Sequence, residues 1–182
     1  MLGVEDGRFK AFPRSKGATT VLCCLEMIND RIYSVRLESI EVDGLDATDK
    51  MLKMLDGFTV EALILGGITF AGFNIIDPST IFDETGLPVI VYSGVEPDND
   101  AMLLALRRHF DDWEMRWRVI EGLGGVYETV TRRGEPPVYF EVVGGSASFA
   151  EEFLRSSALL CRIPEPVRVA GIIARGVSYP AC

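Results

Sequence analysis

The sequence predicts an α/β domain of three layers built on a mixed sheet. Three observations carry that expectation. Three β-rich stretches near the N-terminus are linked by short turns, which favours antiparallel neighbours. Two later strands are almost wholly apolar and are joined through a helix, the mark of a buried parallel βαβ unit. The chain has 182 residues, 48% of them hydrophobic, and shows no internal repeat, low-complexity stretch or long linker, so residues 1–182 are expected to form a single domain.

The elements follow in order. Residues 2–6 read as a first strand closed by the turn signal Asp6-Gly7. Residues 19–28 are rich in β-formers and give a second strand, Asn29-Asp30 a turn, and residues 32–42 a third strand whose partial alternation implies one wet face. Asp43-Gly44-Leu45-Asp46 turns the chain into a helix with Asp46 at the N-cap and Asp49 at the third helical position. Met51, Leu52 and Leu55 form its apolar face, and Gly57 stops it. Residues 60–65 form a continuous apolar strand. After the segment 66–76, Asp77-Pro78 opens a short helix ending near Gly86, and residues 87–92 return as another apolar strand. Residues 99–121 read as one long helix. Its residues Leu103, Leu106, Phe110, Trp113, Trp117 and Ile120 recur at alternating spacings of three and four, a seam that fits packing on the sheet or a dimer contact. Strands at 126–130 and 138–143 flank Arg132-Arg133-Gly134. Helices at 149–160 and 164–174 complete the chain, the second stopping at Gly176. Three antiparallel strands feeding helix, strand, helix, strand is the order of the ribonuclease H-like fold.

Charge narrows the function classes. With 18 Lys plus Arg against 27 Asp plus Glu, the net charge is -9. That balance argues against coating nucleic acid by bulk charge and against an anionic membrane surface. It leaves room for a local basic groove or a metal-bridged site. The longest uncharged run, residues 62–76, is 15 residues with three glycines, short of the ~20 apolar residues of a membrane span. The N-terminus lacks the basic and apolar regions of a secretory signal. Cys23, Cys24, Cys161 and Cys182 form no C-x-x-C pair, which disfavours a zinc ribbon or thioredoxin site. Cys23 and Cys24 are expected on opposite faces of one strand, and a reducing cytoplasm fits best.

Glu5, Asp6, Asp43, Asp46 and Asp77 lie near predicted strand ends. Carboxylates there can converge on Mg²⁺ or Mn²⁺ for phosphodiester hydrolysis, where two metals clamp the attacking and leaving oxygens. The same residues also suit plainer roles: Asp46 as a helix cap and Asp6 as a turn residue. Residues 66–74 contain no Lys or Arg and are not followed at once by a helix, so Gly66-Gly67 is no phosphate loop. His109 is the sole histidine and reads as a solvated helix position. One His and no G-x-S-x-G argue against a Ser-His-Asp hydrolase. Arg107, Arg108, Arg116 and Arg118 are expected to face solvent, paired with Asp111, Asp112 and Glu114.

Four stretches carry a family resemblance: Gly3-Val4-Glu5-Asp6-Gly7, residues 42–48, residues 66–74 and residues 85–91. They resemble an uncharacterised, mainly archaeal family, domain of unknown function ninety-nine. That family looks like a relative of endonuclease V, which has a ribonuclease H-like fold, and residues 162–170 are similar to the endonuclease V segment that ends its last helix pair. Endonuclease V uses Mg²⁺ to cut a strand near a deaminated base. By resemblance, its first-strand Asp falls on Glu5 and its Glu after the third strand falls near Asp43, which makes Glu5 and Asp43 the metal-ligand candidates. Its Asp in an Asp-Gly pattern falls on Gly66, its Lys after the fifth strand near Gly94, and its late Gly-His on Gly144-Gly145. The duplex-entering wedge has no counterpart near Ser39-Ile40.

Three readings follow. The first is an endonuclease V-like protein that binds nucleic acid or a nucleotide with the parent catalytic site largely lost. The second is a divergent Mg- or Mn-dependent nuclease using a rearranged cluster of Glu5, Asp6, Asp43 and Asp46. The third is a protein-interaction module using the Trp113/Trp117 helix, with homodimerisation as one form of it.

Overall fold

A computed structural model describes residues 1–10 and 17–178. The three N-terminal strands are β1 (Leu2–Asp6), β2 (Thr19–Ile28) and β3 (Arg31–Glu41), paired antiparallel. Asn29 takes the positive φ that the tight β2–β3 turn needs. After helix α1 (Ala47–Leu55) the chain enters β4 (Leu63–Leu65), which pairs parallel to β1. The segment 66–76 holds a small hairpin, β5 (Thr69–Phe70) and β6 (Asn74–Ile75), that the uninterrupted apolar pattern does not announce. Helix α2 (Pro78–Thr85) is bounded as expected. Asp77 accepts from the N–H groups of Ser79 and Thr80, and Gly86 closes the helix in the left-handed conformation. β7 (Val89–Ser93) then lies parallel to β4.

The expected helix over 99–121 is instead two helices, α3 (Asn99–His109) and α4 (Trp113–Glu121). Between them Phe110 is extended, at φ -135° and ψ 127°. Its ring packs edge-on to Phe73 with centroids 5.4 Å apart and lies under the Arg116 guanidinium. Asp112, at the N-cap position of α4, is the restart signal that the regular apolar spacing masks. Leu106 and Ile120 are buried, while Phe110, Trp113 and Trp117 pack half-buried on the same core. The tryptophan seam therefore packs on the chain's own core, as the packing reading of its spacing expects. β8 (Tyr127–Thr129) and β9 (Val138–Val143) add antiparallel strands, and helices α5 (Ala147–Ser157) and α6 (Glu165–Val177) end the described chain.

The main sheet runs β3-β2-β1-β4-β7-β9-β8, and its alternating side chains make two apolar layers. Leu2, Val4, Leu22, Cys24, Leu63, Leu65, Val89 and Val91 face α1, α2 and the α3–α4 pair. Ile64, Ile90, Val138 and Phe140 face α5 and α6, and Cys23, Leu25 and Met27 lie under α6. The two adjacent cysteines thus point to opposite faces, as the strand period requires. Helix α6 approaches β1 very closely. A Cβ on Gly3 would strike the backbone of Pro166 and Val167, and one on Gly7 would strike the Ser178 side chain. Two glycines two residues either side of Glu5 leave that carboxylate between them on the face beneath α6.

Candidate functional site

Neighbouring parallel strands β1 and β4 leave the sheet in opposite directions. β1 is followed by β2 on one side, and β4 leads to β7 on the other. The crevice outside the carboxyl ends of such strands is the ordinary binding place of open α/β sheets. Glu5 and Asp6 end β1, Gly66 follows β4, and Tyr92 and Ser93 end β7.

The pairing register lines up Cys23, Glu5, Gly66, Tyr92 and Phe140 across the sheet on the α6 face. Gly66 has no side chain, and Glu5 fills the space it leaves. A Cβ at Gly66 would lie 2.5 Å from Glu5 Oε1 and 2.9 Å from its Cγ. The Glu5 carboxylate thus reaches over from β1 to the position on β4 that carries no side chain. Burial pushes the Glu5 carboxyl up to about 7, and the neighbouring Asp6 charge adds to this. The Asp6 N–H, which donates to Glu5 Oε2 at 3.2 Å, and the charge of Arg175 on α6 oppose the shift. Gly171 makes room for Arg175, since a Cβ there would lie 2.7 Å from its Nη2.

A second cation lies near Tyr92. Arg162 donates from Nη1 to the Pro137 carbonyl at 2.6 Å. A Cβ on Gly94 would lie 3.4 Å from the Tyr92 hydroxyl and 3.8 Å from Arg162 Nη2. Arg162 thus reaches the space beside the position to which the resemblance assigns a lysine. Burial raises the Tyr92 hydroxyl to about 12, against the pull of Arg162.

The other predicted carboxylates serve the opposite face. Asp6 accepts from the Ala71 N–H; burial raises its pKa, opposed by that bond and by Arg175. Asp43, at φ 61°, donates its N–H to the Ala71 carbonyl at 2.8 Å and accepts from Phe73 N–H at 3.1 Å. Gly72 is required here: its φ is 89°, and a Cβ would strike Asp43 Oδ1. Asp6 and Asp43 together clasp the tip of the β5–β6 hairpin. Asp46 stands at the N-cap position but does not cap with its side chain. Its Oδ1 accepts instead from Glu41 N–H and from Asn74 Nδ2, while Asn74 Oδ1 accepts the Ala47 N–H. The cap of α1 therefore comes from a residue 27 positions away.

Arg116, expected in solvent, is 5% exposed. Besides an ion pair to Asp112 at 2.9 Å, it donates to the carbonyls of Asp43, Gly44 and Phe73. It ties the Asp43 turn to the hairpin. His109 is exposed at the end of α3. Among the described residues, no three His, Cys, Asp or Glu side chains form a group able to hold a metal ion. The donor set thus does not fit a two-metal clamp, which needs several converging carboxylates. Tyr92, Arg162 and Arg175 are absent from the residues singled out by sequence. Only the Gly-x-Glu-x-Gly pattern of β1 signals the close α6 that brings Arg175 near.

Among the described residues, no helix is long and apolar enough to cross a membrane. A family model described as endonuclease dU matches residues 1–178. A UPF0215 protein of Methanothermobacter thermautotrophicus is 35% identical over 182 residues, covering 98% of this chain and 87% of the relative. The crystal structure of a protein of unknown function from Archaeoglobus fulgidus superposes with a TM-score of 0.82 at 27% identity, covering 98% of both chains. Endonuclease V of Ciona intestinalis, in complex with a 24mer DNA containing an inosine, superposes with a TM-score of 0.57 at 13% identity, over 96% of this chain and 84% of that one. The mixed α/β architecture is therefore that of endonuclease V, and the chain belongs to the endonuclease dU family.

Proposed function

We propose that the protein is an endonuclease that hydrolyses DNA at or near deoxyuridine, with Glu5 as the proton acceptor. The observation that carries this reading is the Glu5 carboxyl, held near a pKa of 7 at the switch point and filling the space left by Gly66. A carboxyl that titrates near neutrality inside a crevice is suited to general acid–base work. The family description supplies the substrate class, and the fold is shared with a protein seen on inosine-containing DNA. In the proposed reaction a water oxygen bonds to phosphorus while one phosphorus–ester oxygen bond breaks. Glu5 takes a proton from the water, and the departing ester oxygen leaves as an alcohol after protonation by solvent. Arg162 and Arg175 supply positive charge for the phosphate. Glu5 and Asp43 are the carboxylates at which a Mg²⁺ or Mn²⁺ dependence would be traced by substitution.

A strand-binding protein without cleavage is the second reading, favoured by the absence of a three-carboxylate group among the described residues. One experiment separates them. Oligonucleotides containing deoxyuridine, inosine or only ordinary bases are incubated with the protein in Mg²⁺, Mn²⁺ or chelator. Product from the deoxyuridine strand that falls about 10²–10⁴-fold in Glu5→Gln supports the nuclease. Salt-sensitive binding with no product under any condition supports binding alone.

A further inference from the structure

We propose that the chain forms a homodimer by antiparallel pairing of β3 with β3 of a second copy, joining two sheets into one. This goes beyond the nuclease reading and does not rest on it. The two edges of the main sheet are unlike. β8 has three residues, whereas β3 has eleven, about 36 Å of strand, and contains no proline. A long open edge is a ready template for pairing, and natural proteins normally blunt it. Among the described residues β3 is an edge strand, and its face beneath α6 is apolar. Ile32, Val35 and Leu37 lie opposite Met27, Leu25 and Cys23 of β2, on the face beneath α6. The β2 residues are buried by α6, yet Ile32, Val35 and Leu37 remain 53%, 39% and 46% exposed. Ile172 on α6, 53% exposed, adds to the exposed apolar surface of this layer.

The charges on the other face of β3 choose both the occupant and the register. Arg36 and Glu38 sit two residues apart on the side that packs on α1. Arg36 donates to the Met54 and Asp56 carbonyls, and Glu38 pairs with Lys50. Antiparallel pairing centred on Leu37 sets Arg36 opposite the partner's Glu38, and by symmetry repeats that pair. It also stacks Leu37 on the partner's Leu37 and Val35 on the partner's Ser39. Slipping the centre to residue 36 faces Arg36 with itself, and slipping it to residue 38 faces Glu38 with itself. Like charges directly opposite are destabilising and opposite charges favourable. An isologous edge is thus self-complementary in one register, which a generic partner strand would not require.

The test is light scattering coupled to size exclusion on the full chain across a micromolar concentration series. The expected mass is twice 20.1 kDa. Leu37→Lys, at an exposed position, is expected to give a folded monomer. Arg36→Glu is expected to give monomer, and Arg36→Glu combined with Glu38→Arg to restore the dimer. The double variant does not restore the contacts of either residue within its own chain, so rescue reports pairing between copies. A wild-type protein that stays monomeric throughout the series overturns the proposal. So does a dimer unaffected by Leu37→Lys, or a folded double variant that remains monomeric. None of these outcomes bears on cleavage.

Discussion

Glu5 is held in an environment that disfavours its charge, and this has a consequence for stability as well as for chemistry. Its folded pKa, about 7, lies above the ordinary 4.5. The unfolded chain therefore gives up the proton first, and folding stability falls as pH rises from about 4.5 to about 7. Glu5→Gln removes a buried charge above that window and little below it. Thermal melts are expected to show the variant more stable than wild type at about pH 8, by about 2–4 °C for each kcal/mol relieved, and equal to it at about pH 4. Equal melts at both values would mean that the carboxyl is not held uncharged. Gly66 is the complementary probe. A methyl there lies 2.5 Å from Glu5 Oε1 and 2.9 Å from its Cγ, so the glutamate must swing away. Gly66→Ala is expected to lower cleavage at least as much as Glu5→Gln while the fold persists, read as product rate beside a melt. Full activity in Gly66→Ala would show that the placement of Glu5 does not matter.

At the scale of elements, two contacts set the crevice. Helix α6 can lie on β1 only because Gly3 and Gly7 lack side chains. Gly3→Ala meets backbone, which cannot rotate away, and overpacking of this kind costs about 1–3 kcal/mol. Denaturant unfolding is expected to show that loss. Arg116 is the second contact. Its removal strips donors from three carbonyls, those of Asp43, Gly44 and Phe73. Loss of one member of a buried charged network is strongly destabilising, and Arg116→Ala is expected to cost about 3–5 kcal/mol, with Arg116→Lys recovering only part because an ammonium cannot span the fork. Both contacts also show why some elements were legible in sequence and others not. Helix α2 carries its own cap, Pro and Gly within ten residues, so its ends could be named. The cap of α1 is Asn74, far away in sequence, and Asp46 was the only visible choice. The α3–α4 break hid because Phe110 keeps the three-four spacing while its backbone extends. Arg116 looked like any cation in a helix, because nothing local tells that three distant carbonyls converge on it.

At the scale of the whole molecule, the antiparallel pairing of the first three strands and the parallel β4–β7 pair followed from periodicity and turn residues, which are local signals. The candidate site did not follow as readily. Spacing suggested one cluster of Glu5, Asp6, Asp43 and Asp46, but adjacent residues of a strand face opposite ways. Glu5 lies beneath α6, while Asp6 and Asp43 clasp the β5–β6 tip. Arg175, whose charge acts on Glu5, and Arg162, beside Tyr92, come from the last third of the chain and enter only through tertiary packing. The net charge of -9 therefore does not describe the crevice, where the charge of Arg175 acts on Glu5 and that of Arg162 on Tyr92. The central claim is that this carboxyl accepts the proton in strand cleavage. Its most direct test is the pH dependence of kcat/KM on a deoxyuridine-containing oligonucleotide, wild type beside Glu5→Gln. The account predicts a rate that climbs through an apparent pKa near 7 in the wild type and loses that limb in the variant. A flat profile from about pH 5 to 8, or an unchanged rate in Glu5→Gln, would contradict it.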